Sequence, residues 1–186
     1  MRRVPRYFFA AAMLACTHAF AASTAAAQAG PNGFFVKHEV VINAPPAAVY
    51  EALVGHVGQW WNPQHTFSGD AENLSLDARP GGCFCEKLPN GGGLEHLRVV
   101  YVAPPEMLRM TGALGPLQGS GAAGSLTWKL ASAPRGTTVV LSYGVGGFME
   151  GGLDRIAPAV GGVLGEQLRR LKSFVETGKP IQQSGQ

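Results

Sequence analysis

Leu153 to Glu176 reads LDRIAPAVGGVLGEQLRRLKSFVE, and it is the one long stretch of the chain with the spacing of an amphipathic helix. At about 100° per residue, Ile156, Val160, Val163, Leu164, Leu168, Leu171, Phe174 and Val175 gather into a single arc. Arg155, Glu166, Arg169, Arg170, Lys172 and Glu176 fall outside that arc. Gly178 and Pro180 mark the stop, with Lys172 and Lys179 near the negative end of the helix dipole. One helix cannot shield its own stripe. Most of the chain from Leu74 to Gly144 is short, β-prone and broken by glycines, so the natural partner is an antiparallel sheet with this helix across one face. Gly161, Gly162 and Gly165 each cost the helix roughly 1 kcal/mol relative to alanine. They either let a strand approach or leave room for a ligand, and Gln167 falls inside the apolar arc.

The N-terminus has a different character. Arg2, Arg3 and Arg6 form a basic region, Tyr7 to Ala22 is apolar and alanine-rich, and Ala27-Gln28-Ala29 is a small-x-small cleavage site. Residues 1–29 therefore read as a signal peptide and residues 30–186 as one domain, exported to the periplasm or secreted. A second possible cut follows Ala19-Phe20-Ala21. Leu14-Ala15-Cys16 faintly resembles a lipoprotein cleavage site, but Met13 stands three before the cysteine and the run stays apolar after it. The apolar run is too short for a convincing membrane span, and no later stretch offers one.

Three of the 15 basic residues and none of the 12 acidic ones lie in the signal, which leaves 12 of each. A nearly neutral domain lacks the concentrated basic surface that nucleic acid or anionic membrane requires, so neither is an expected partner.

The remaining elements follow in order. Phe34 to Ile42 alternates as a strand, and Pro45-Pro46 opens a short helix over Ala47 to Val54. A second short turn carries Gln59 to Trp61 and stops at Asn62-Pro63. Strands are expected over Asn73 to Ala78, Cys83 to Leu88, Leu94 to Val102, Met107 to Thr111, Ser125 to Ala131 and Thr137 to Tyr143. Gly112 to Gly124 is too irregular for an element.

The opening Val41-Ile42-Asn43-Ala44-Pro45-Pro46-Ala47-Ala48-Val49-Tyr50, the pair Trp60-Trp61 before Asn62-Pro63, and the closing Glu166-Gln167-Leu168-Arg169-Arg170-Leu171-Lys172 resemble the SRPBCC, or START-like (Bet v 1-like), superfamily. Within it the chain is most similar to the Hsp90-ATPase-activator-homologue and polyketide-cyclase-like branch. The resemblance implies an α+β helix-grip fold: a curved antiparallel β-sheet wrapped around a long C-terminal α-helix, with two short helices after the first strand. It also implies a cavity between sheet and helix that takes a hydrophobic ligand. The functions in such a superfamily range from carriage to cyclase chemistry, so the fold does not name the activity.

The chain has no G-x-S-x-G, no phosphate loop and no H-E-x-x-H, and no cofactor is expected. Cys83 and Cys85 lie on one face of a strand, separated by two rises of about 3.3 Å, near the long limit for a disulfide. They are expected not to be bonded to each other, because a bridge would need a bulge. Symmetric pairing around the Pro89 to Gly93 loop puts Cys85 opposite His96 and Cys83 opposite Arg98, with Glu86 opposite Glu95 on the other face. Cys83, Cys85 and His96 would supply three of the four ligands of a zinc or copper site, but the spacing is no recognised metal pattern and no metal is expected.

Opposed carboxylates at Glu86 and Glu95 would push one pKa upward, and with Tyr101 on the same face or His65 near the tryptophan pair they could move protons. Trp60, Trp61, Phe67, Phe84, Trp128, Tyr143 and Phe148, with Gln167 as a polar fixer, are the candidate ligand-binding residues. If Gly161 and Gly165 leave space rather than admit a strand, Trp61, Phe67, Trp128 and Tyr143 are expected to wall a cavity beside the first half of the long helix. The leading expectation is a protein that binds a small hydrophobic or aromatic molecule. The alternatives are an enzyme of cyclase or dehydratase type and a module that engages a partner protein such as a chaperone.

Overall fold

The computed structural model describes residues 28–181, so the signal peptide expected over residues 1–29 lies, up to residue 27, outside the described residues. Among the described residues eight strands form one antiparallel sheet in the spatial order β1-β2-β8-β7-β6-β5-β4-β3. They are β1 (Gln28–Gly30), β2 (Gly33–Ile42), β3 (Leu74–Leu76), β4 (Cys83–Lys87), β5 (Gly93–Ala103), β6 (Met107–Gly112), β7 (Gly121–Ala133) and β8 (Gly136–Phe148). Helices α1 (Pro46–Gly55) and α2 (Val57–Trp60) fill the connection from β2 towards β3, and α3 (Ala157–Thr177) closes the chain. The sheet curves around α3, which is the helix-grip arrangement.

Local sequence accounts for the frame. On β2, Phe34, Val36 and Ile42 are buried while Phe35, Lys37 and Glu39 face out, the period expected of a sheet with one solvated face. On α3, Leu164, Leu168 and Leu171 turn fully inward, with Pro158 in the first turn. Gly178 ends the helix at φ 75°, a left-handed conformation, and its amide donates to the Phe174 carbonyl. Arg170, expected outside the arc, is buried as well, because its guanidinium finds backbone carbonyls to bond.

β7 and β8 run several residues further than propensity indicates. Gly121 to Gly124 of β7 pair with Val145 to Phe148 of β8, a ladder built largely from glycine and alanine. A Cβ on Gly124 would collide with the Gly144 carbonyl oxygen and stand 2.7 Å from the Tyr143 ring, so close approach rather than a turn explains that glycine.

The β4–β5 hairpin departs from symmetric pairing. Cys83 faces Arg98 and Phe84 faces Leu97, but Cys85 faces Glu95 and Glu86 faces Leu94, so His96 is an extra residue on β5. This bulge corrects the expected clustering of Cys83, Cys85 and His96, because His96 turns to the buried face, away from the cysteines. It also separates Glu86, which is buried, from Glu95, which lies exposed in an ion pair with Arg98. Cys83 and Cys85 are bonded to each other, which overturns the expectation of two free thiols. Their Cα atoms are 5.4 Å apart, closer than the roughly 6.6 Å of a regular strand, as the twist beside a bulge allows.

Candidate functional site

A cavity of about 440 Å³ lies beside the first half of α3. Ile156, Ala159, Val160, Val163 and Leu164 form its helical wall, and the i, i+3, i+4 spacing puts them on one stripe. Trp61, Gln64, His65, Thr66 and Phe67 face them from the segment after α2, Leu114, Gly115 and Pro116 from the β6–β7 connection, and His96 from β5. The wall is mostly apolar, and Phe67, more than half exposed, stands where the cavity meets solvent.

Residues on α3 hold the segment after α2 in place. The Asn62 amide donates to Gln167 Oε1 at 2.9 Å and its side-chain Nδ2 to Glu166 Oε1 at 2.6 Å. Glu166 Oε2 lies 3.3 Å from His65 Nε2. Arg170 donates to the carbonyls of Trp60 at 2.8 Å, Trp61 at 3.3 Å and Ile181 at 2.8 Å, so it caps the end of α2. Burial lowers the Arg170 pKa and the Glu166 charge works against that, while a guanidinium stays charged throughout the physiological range.

Glu86 anchors the far end of the same segment. It accepts hydrogen bonds from the Phe67 amide at 3.1 Å, from the Ser68 amide, and from His96 Nε2 at 2.9 Å. Burial alone would raise its pKa, but the bonds from Ser68, Phe67 and His96 together outweigh burial and hold it below the usual carboxylate value. The His96 imidazole is pushed down by burial, and the Glu86 carboxylate only partly opposes the shift. Phe84 stacks on the His96 ring with centroids 4.9 Å apart.

Tyr143 supports the opposite wall. Its hydroxyl donates to the Gly112 carbonyl at 2.9 Å and accepts from the Leu114 amide at 3.4 Å, while burial pushes its pKa up to about 12.

The candidates thus divide. Trp61, Phe67, His65 and His96 line the cavity. Trp60, Phe84, Trp128 and Tyr143 are packed in the core, so Trp128 and Tyr143 are not cavity walls as expected. Gln167 is fully buried and positions Asn62. Tyr101 is exposed on the outer face with Arg109 over its ring, and Phe148 is 73% exposed at the end of β8. Glu95 is on the outer face, so no carboxylate pair forms with Glu86. Sequence reasoning missed Glu166 and Asn62 as the partners that aim the cavity's near wall. It also missed Leu114 to Pro116, which sit in a stretch with no periodic signal.

The family model for polyketide cyclase/dehydrase and lipid transport proteins matches residues 34–176, most of the chain. The chain belongs to this family. Solved structures show the same fold in distant proteins. A conserved protein of unknown function from Enterococcus faecalis superposes with a TM-score of 0.61 at 18% identity, covering 89% of this chain and 84% of its own. The Aha1 dimer from Colwellia psychrerythraea gives 0.56 at 20% identity over 78% of this chain and 98% of its own. CalU16 from Micromonospora echinospora gives 0.51 at 16% identity over 83% and 85%. No curated protein matches the sequence. Among the described residues no helix is long and apolar enough to cross a membrane.

Proposed function

We propose that this protein binds a small, mainly apolar molecule in the cavity beside the first half of α3. The single observation that carries this is the cavity itself: about 440 Å³ of space whose helical wall, Ile156 to Leu164, presents aliphatic side chains and no charged one. Space of this size lined by apolar groups is of the kind that ligand sites occupy. The family description names cyclase or dehydrase chemistry and lipid transport, and an apolar pocket suits either.

The same reading places the protein outside the cytosol. The basic, then apolar, then small-x-small N-terminus motivates it, and a Cys83–Cys85 disulfide suits an oxidising compartment. The pairing of Gln28 and Ala29 with Phe35 and Phe34 of β2 supports the earlier of the two cuts, after Ala21, within this reading.

Turnover is the second reading, favoured by two histidine–carboxylate pairs on the cavity wall, His96 with Glu86 and His65 with Glu166. One experiment addresses the binding claim. The full chain purified from its source under native conditions should carry an apolar compound visible by native mass spectrometry. Val163→Trp, which fills the cavity from the helix side, should lose it while remaining folded. Recovery of the same compound on the filled variant would remove this cavity as the site.

A further inference from the structure

His96 stands where regular alternation would not place it. Leu97 is buried, so an unbroken β5 would turn its neighbour His96 outward, and the bulge instead brings both side chains to the inner face. There the ring is held on three sides. Phe84 stacks against it, Phe67 approaches at 6.0 Å between centroids, and Glu86 meets Nε2. The residue lines the cavity, and its Nδ1 is not sealed in the core.

The hydrogen-bond pattern fixes the tautomer. A carboxylate only accepts, and Glu86 is held ionised by two backbone amides, so Nε2 carries the proton. Burial keeps the imidazole neutral at neutral pH, so Nδ1 is a lone pair. Among the described residues the ring makes one hydrogen bond, at Nε2. An accessible acceptor with no protein donor is costly to leave unmet when an apolar ligand displaces water from it.

We propose that His96 Nδ1 accepts a hydrogen bond from the ligand, so that the cavity selects neutral apolar ring compounds bearing a hydroxyl, as phenols and enols do, over their hydrocarbon or ether analogues. This rests on the binding role proposed above. Glu86 and Glu166 stand behind the two histidines of the wall, and their negative charge disfavours an anionic ligand. Glu86 is a positioning residue here: it acts through His96 by holding the proton on the other nitrogen.

Three neutral probes separate the terms: naphthalene, naphthol and naphthol methyl ether, titrated into the full chain. Transfer from water alone would not favour naphthol, because its hydroxyl is the most costly group to bury unpaired. The expected result is naphthol bound at least about tenfold more tightly than either of the others. His96→Phe should collapse that preference to within about threefold while all three probes still bind, and Glu86→Gln should narrow it. A merely structural role for these residues would weaken the three probes together and leave their ratio unchanged.

The unsubstituted protein alone decides the matter if a variant does not fold. Naphthol, but not naphthalene, should move the ¹⁵N resonance of His96 Nδ1 from the free acceptor position towards the hydrogen-bonded one. Equal binding of all three probes would overturn the hydroxyl selection and leave the cavity's binding role standing. Binding of none would overturn both.

Discussion

A methyl group on Gly165 would stand 2.9 Å from Cε1 of the His38 ring. The glycine step on α3 therefore admits neither a strand backbone nor a ligand at this point, but an imidazole. His38 reaches from β2 and holds its place through Nε2, 2.8 Å from the Gly161 carbonyl. For Gly162, one turn away on the same helix, no described residue beyond the local helix backbone comes within 4 Å of the same added atom.

The two glycines should consequently respond with opposite signs to alanine. Gly165→Ala gains about 1 kcal/mol of helix propensity but overpacks against an anchored ring, which typically costs about 1 to 3 kcal/mol, so a net loss of up to about 2 kcal/mol is expected. Gly162→Ala should gain up to about 1 kcal/mol. Urea unfolding midpoints of the two variants check this, and a stabilised Gly165→Ala would mean the His38 contact is not there.

Arg170 is the latch between α3, the end of α2 and the C-terminal segment at Ile181. Arg170→Ala removes three charge-assisted bonds to carbonyls and the packing of the stem, for an expected loss of about 2 to 4 kcal/mol. Arg170→Lys should recover only a minor part, since an ammonium cannot reproduce the fork. Chemical denaturation of both variants is the measurement, and full rescue by lysine would show that charge alone matters.

Acid should destabilise the fold in two windows. His96 has a folded pKa below its ordinary 6.5, so the unfolded chain takes up a proton first and stability falls as pH drops below about 6.5. Glu86 has a folded value below its ordinary 4.5, and its contribution is present above 4.5 and lost as pH falls through that lower folded value. Thermal midpoints from pH 7.5 downward, compared with those of His96→Phe, should show the upper window in the parent only. Superimposable curves would contradict the assignment.

Much of the fold was legible because periodicity reports burial directly. The stripe from Ile156 to Val175 and the alternation along β2 each named the face that turns to the core or the cavity. The site was less legible for one main reason. A single extra residue at His96, unmarked by glycine or proline, reverses which side chains share a face from that point on. It moved His96 inward to Glu86, sent Glu95 outward to Arg98, and stands beside the strand whose two cysteines are bonded. The aromatic residues posed a different difficulty. Trp60 and Trp61 are adjacent in sequence, yet Trp60 packs on Trp128 in the core while Trp61 also borders the cavity, a distinction set by tertiary packing.

The cysteine correction has its own check. Denatured, unreduced protein lacking residues 1–21 contains only Cys83 and Cys85, and it should titrate no free thiol. Two free thiols would restore the expectation read from strand geometry.

The central claim is that the cavity beside the first half of α3 takes an apolar ligand, and mapping a neutral probe by NMR tests it most directly. On addition of naphthol, resonances of Trp61, Phe67, His96, Val160, Val163 and Leu164 should shift together and saturably, while those of Tyr101 and Phe148 on the exposed surface stay in place. Shifts confined to the surface around Tyr101 or Phe148, or none at all, would contradict the account.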